Sequence, residues 1–79
     1  MELDKDRVDQ AVLALLYLTV DREGRAWKSF DWDAMGRLHE AGLILNPVGK
    51  AKSVVLTEKG LVESERLARV LFERRVEGA

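Results

Sequence analysis

The sequence predicts a mainly helical α+β domain, three main helices plus a two-stranded β-hairpin, and three observations point there. Between Asp4 and Val20 apolar residues recur at helical spacing. From Asp31 to Gly60 an amphipathic segment closes at Gly42, two apolar extended runs flank a Pro and Gly turn, and Thr57 opens a new pattern. Beyond Thr57, Leu61, Leu67, Ala68, Leu71 and Phe72 recur among charged residues at helical spacing. With 79 residues, the chain is expected to form one domain spanning 1–79, and a domain this small buries only about 60% of the surface it exposes when unfolded.

The first helix is expected from Asp4, with Asp4 or Asp6 capping its first turn. Val8, Val12, Leu15, Leu16 and Thr19 make one stripe, and Leu13, Tyr17 and Val20 a second row beside it. So wide an apolar surface must be covered on more than one side, by the rest of the domain and by a partner subunit. Asp21 to Arg25 is a polar turn, with Gly24 supplying positive φ. Trp27 and Phe30 stand three residues apart, which predicts a short helical turn over Ala26 to Phe30.

Asp31 is placed to cap the middle helix, with Phe30 and Met35 at the two positions of a hydrophobic staple. Trp32, Ala34, Met35, Leu38 and Ala41 make its apolar side, and Asp33, Gly36, Arg37 and Glu40 face solvent. Trp27, Phe30 and Trp32 are read as the aromatic contact between this helix and the first. Leu43 to Leu45 and Ser53 to Leu56 are the strands of the hairpin, joined through Asn46, Pro47, Val48, Gly49 and Lys50. Thr57 caps the last helix, in which Glu65 and Arg69 form a favourable pair four residues apart.

Composition removes several classes of function. There are no cysteines, so disulfides and thiolate metal sites are excluded; self-association remains as the usual further support for a small fold, and a cytoplasmic homodimer is expected. A net charge of −1 supplies no global basic field for nucleic acid or membrane surfaces. The mixed charges of Met1 to Asp6 do not resemble a secretory signal. The apolar run Ala11 to Leu18 falls short of the roughly 20 residues a membrane span requires, so no membrane association is expected.

The steps LHEAGLI at Leu38 to Ile44 and VLTEKG at Val55 to Gly60 resemble the back half of MarR-type and PadR-type winged-helix regulators. The resemblance implies a winged-helix-like fold in which the middle helix reads DNA and the hairpin is the wing. The whole chain, through LALLYLT, AWKSFDWDAMGRLHEAGLI and PVGKAKSVVLTEKG, also resembles a family of small uncharacterised bacterial proteins, which brings no activity with it. It departs from the regulators between the first helix and Asp31, where only a short aromatic segment replaces a full helix.

For nucleic acid the candidate contacts are Arg37 on the middle helix, Lys50 and Lys52 at the wing tip, and Arg25 and Lys28, with Arg22 near them. Asp33 and Glu40 beside Arg37 would repel phosphate. His39 and Glu40 lack the second histidine of a zinc-protease helix, since position 43 is Leu43. With one histidine, no metal set or His-assisted nucleophile is expected, and Ser29, Ser53 and Ser64 have no identifiable base. No cofactor and no enzymatic activity are expected. The preferred reading is a protein-interaction or homodimerisation module, with Val12, Leu13, Leu16, Tyr17, Leu67, Leu71 and Phe72 as candidate interface residues. The alternative is a DNA-binding regulator.

Overall fold

Helix α1 (Lys5–Tyr17) begins beside Asp4, which is extended and whose carboxylate accepts the N–H groups of Asp6 and Arg7. A residue held in β conformation just ahead of a helix can turn its side chain back onto the first unpaired N–H groups, and Asp6, already inside the helix, cannot. The computed structural model describes residues 1–27, 32–47 and 53–74. Within them α1 is followed by β1 (Arg25–Trp27), α2 (Trp32–Glu40), β2 (Ser53–Val55) and α3 (Glu58–Phe72). Three helices and a two-stranded antiparallel sheet make the mainly helical α+β fold, in a layout compatible with a winged helix.

The core is built on α1. Its Val12, Leu13, Ala14 and Leu16 are buried against Ala34, Met35 and Leu38 of α2, Leu67 and Ala68 of α3, and Ala26, Ile44, Val54 and Leu56 from the extended segments. Each large apolar side chain removed from water contributes about 1.5–3 kcal/mol. The wide stripe of α1 is therefore covered largely inside the subunit. α2 buries less than its sequence suggests: Ala41 is exposed and Trp32 is 56% exposed, so Trp32 is not a core contact. The Asp31 cap and Phe30 staple lie outside the described residues, as does the side chain of Trp27.

The sheet corrects one expectation. Arg25–Trp27 is a strand and not part of a short helical turn, with Arg25, Ala26 and Trp27 opposite Val55, Val54 and Ser53. A strand this short is stabilised by its cross-strand neighbours rather than by local preference, so the spacing of Trp27 and Phe30 could not reveal it. Leu43 to Leu45, expected as the partner strand, flanks the other side of β2. There Ile44 bridges Leu56, the Leu45 N–H donates to the Val55 carbonyl at 2.8 Å, and the Thr57 N–H donates to the Leu43 carbonyl at 3.0 Å.

One side chain holds the turn between α1 and β1. The Asp21 carboxylate accepts the N–H of Glu23 at 2.9 Å and of Arg25 at 3.0 Å, while its own N–H donates to the Arg25 carbonyl at 2.9 Å. Gly24 there has φ 81°, as the turn requires. Those N–H groups, Arg25's foremost, favour the ionised form and hold the Asp21 carboxyl below its ordinary pKa.

The junction of α2 and α3 explains why GLI and LTEKG stand where they do. Gly42, at φ 77°, ends α2 with its N–H donating to the His39 carbonyl and the Leu43 N–H donating to that of Leu38, both at 3.0 Å. This pair of bonds satisfies the last carbonyls of the helix. Thr57 then works in both directions: its hydroxyl accepts the Gly60 N–H at 3.0 Å and donates to the Gly42 carbonyl at 2.7 Å. The Lys59 ammonium reaches the Ala41 carbonyl at 3.2 Å. Gly60 is needed because a Cβ there would lie 1.8 Å from the Leu43 carbonyl oxygen.

Candidate interaction surface

The residues singled out for nucleic acid do not form one basic face among those described. Arg37 is committed to the fold: its Nε and Nη2 donate to the two carboxylate oxygens of Asp9 on α1, each at 2.7 Å. The pair is partly sheltered, with the side chains 30% and 16% exposed, so the two-pronged geometry ties α2 to α1 more firmly than a surface pair would. Arg25 is exposed, with Nε 3.7 Å from Glu23, and Arg22 is exposed. Lys28, Lys50 and Lys52 lie outside the described residues. The open side of α2 carries Trp32, Asp33, His39 and Glu40, of which Asp33 and Glu40 are acidic. The His39 Nδ1 is 3.1 Å from the Ile44 carbonyl; a carbonyl only accepts, so this nitrogen carries the hydrogen.

The candidate interface residues divide sharply. Val12, Leu13, Leu16 and Leu67 fill the subunit's own core, because the helices that would have presented them pack against each other first. Tyr17 is half-buried, and Leu71 and Phe72 are 51% and 46% exposed. Leu18, 61% exposed, joins them. The sequence reading missed Leu18 because α1 is apolar almost all round, and in such a run the outward position carries no distinguishing neighbour.

Tyr17, Leu18 and Phe72 gather where α1 and α3 both end. Tyr17, Leu18, Glu65, Ala68, Arg69, Phe72 and Glu73 line an open groove there. Glu65 is three and four residues from Ala68 and Arg69, and Arg69 three and four from Phe72 and the capping residue Glu73, which puts them on one face. Arg69 is bracketed by acids: Nη2 donates to Glu65 at 2.9 Å and Nη1 to Glu73 at 3.1 Å. Glu65 foremost, then Glu73, raises the Arg69 pKa above its ordinary value. One turn earlier Arg66 pairs with Glu63 and holds that carboxyl low. The surface is thus an apolar centre with a rim of both signs.

Among the described residues no group of three or more His, Cys, Asp or Glu could hold a metal ion, and no helix is long and apolar enough to cross a membrane. Ser64 is fully buried and its hydroxyl donates to the Leu61 carbonyl at 2.9 Å, a structural use.

A family model described as "Domain of unknown function (DUF6429)" matches residues 4–74. The uncharacterized protein y4hR of Sinorhizobium fredii (strain NBRC 101917 / NGR234) is 60% identical over 74 residues, covering 94% of this chain and 100% of that protein. No solved structure matches significantly.

Proposed function

This chain belongs to the DUF6429 family, and from that premise we propose that it is a non-enzymatic protein-interaction module working through the common end of α1 and α3. The observation that carries the reading is the groove in which the exposed Leu18 and Phe72 stand beside the half-buried Tyr17 and Ala68 of α3, with Leu71 also exposed at the same end of the helix. Scattered apolar side chains on a surface are ordinary, whereas several clustered at one end and rimmed by charges mark a contact site. The charges are already paired along α3, so docking an apolar partner against the centre leaves no ion stranded.

The second reading is a DNA-binding regulator, favoured by the winged-helix-like layout with Lys28, Lys50, Lys52 and Arg25 as phosphate contacts. It is weakened at α2, where Arg37 is held by Asp9 and the acidic residues Asp33 and Glu40 remain exposed. Titration against mixed genomic DNA fragments at several salt concentrations separates the two. The interaction reading expects no salt-sensitive binding; binding that weakens with salt and is reduced by Lys50→Ala plus Lys52→Ala would overturn it.

A further inference from the structure

The outer face of α2 holds a glycine that the helix itself does not need. Trp32, Gly36 and Glu40 follow one another at steps of four, and Asp33 stands three before Gly36, so all four share about 100° of the helix circumference. The buried Ala34, Met35 and Leu38 occupy the opposite side, while Trp32, Asp33 and Glu40 are exposed. Gly36 does not have a positive φ, and a Cβ placed on it meets no described atom within 4 Å. Glycine in mid-helix is less stable than alanine, and here neither backbone conformation nor packing within the described residues requires it. Its effect is a notch, one missing side chain between an indole and two carboxylates.

We propose that this face docks a basic segment of a partner protein, with one arginine side chain laid in the notch. The stem crosses Gly36, and the guanidinium meets the Glu40 carboxylate and the ring of Trp32. The surface shares no residue with the α1–α3 groove, so the proposal goes beyond the interaction reading above and does not depend on it.

Charge decides the occupant. Arg37 is turned away to Asp9, which holds it by two bonds, and Asp33 and Glu40 then set the sign of the outer face. Glu40 forms no ion pair among the described residues. Such a face repels phosphate and attracts cations. A wholly apolar partner would bury the carboxylates without pairing them, which is costly.

The exposed indole narrows the choice further. The face of an aromatic ring attracts a cation, and tryptophan does so most strongly. Arginine suits the site better than lysine, because its planar group stacks on a ring and pairs with a carboxylate at once, while its aliphatic stem covers the bare helix at Gly36. A single helix face encloses nothing, which suits a side chain carried on a partner's backbone better than a free small cation.

The test uses a hexapeptide alternating glycine and arginine, with lysine and glutamate versions as controls, followed through the indole N–H signals by NMR at low salt. The chain has two tryptophans, and Trp32→Phe identifies which signal is Trp32. The arginine peptide is expected to shift that signal saturably, the lysine peptide less, and the glutamate peptide not at all. Glu40→Gln should weaken the arginine peptide about three-fold. Gly36→Leu, which fills the notch, should weaken it about ten-fold while raising the urea midpoint, since leucine is the better helix former. Binding lost by a protein that has become more stable is not lost through unfolding.

An arginine peptide that leaves the Trp32 signal unmoved overturns the proposal, as does one that binds Glu40→Gln and Gly36→Leu as tightly as the parent. A Gly36→Leu protein less stable than the parent shows that the fold itself needs the glycine, and overturns the notch as a site. All of these outcomes leave the α1–α3 reading intact, since that reading falls only to the DNA titration.

Discussion

The two ends of α3 face opposite demands. Its start is tied to the end of α2: Thr57 accepts from Gly60 and donates to Gly42, Lys59 caps the Ala41 carbonyl, and Gly60 lies against Leu43 with no room for a side chain. At its finish Leu71 and Phe72 stand half in water, Phe72 beside Leu18. The start is sealed by local hydrogen bonds and close backbone contact, which a single chain can complete alone. The finish is apolar surface left over once α1 has been covered, which on the proposed interaction reading a partner surface completes. A substitution at the first end should therefore damage folding, and one at the second should damage association.

The largest expected effect is Gly60→Ala. A methyl group 1.8 Å from the Leu43 carbonyl forces α3 away from the turn that ends α2, at about 3 kcal/mol, visible as a lower urea midpoint. Thr57→Ala should follow at about 1.5 kcal/mol, toward the upper part of the range for losing a helix cap, because the Gly42 carbonyl loses its donor as well. Equal stability of Thr57→Ala and parent would break the contrast from this side. Phe72→Ser should change the unfolding free energy measured with urea in dilute solution by no more than about 0.5 kcal/mol, since the residue is already 46% exposed, while weakening association measured by sedimentation. A large loss of monomer stability would show that Phe72 belongs to the core.

The smallest effect is one of pH. The Asp21 and Glu63 carboxyls are both depressed in the folded protein, by backbone N–H groups and by Arg66 respectively. Depressed acids stabilise the fold fully above their ordinary values, which lie near roughly 4, and that contribution is lost as pH falls through the folded values. Urea midpoints should therefore hold steady from neutrality to about pH 5 and fall below it. Asp21→Asn should show a shallower fall.

What could be read in the sequence was what depends on near neighbours. The Asp4 cap position, Gly42 at the end of α2, the Thr57 cap and the Glu65–Arg69 pair follow from residues within a turn of each other. Distant pairings could not be read that way. Arg37 looked like a free cation on an open helix face, and its tie to Asp9 depends on how α1 and α2 cross. Arg25–Trp27 is a strand because Ser53–Val55 lies beside it. Leu13 within α1 and Leu18 at its cap are equally apolar letters, yet one is sealed and the other bare, a distinction that exists only once α3 has chosen its side.

The Asp21 turn bears on how this protein can meet others. A two-stranded sheet ordinarily offers its outer strand as a template on which a foreign chain can add another strand. Here Asp21 occupies both main-chain groups of Arg25, the N–H with its carboxylate and the carbonyl with its own N–H, while the Leu43 to Leu45 segment bonds along the far side of β2. At Arg25 the edge of the sheet is thus closed by the protein's own turn, so a foreign strand finds no unpaired main-chain group at that residue.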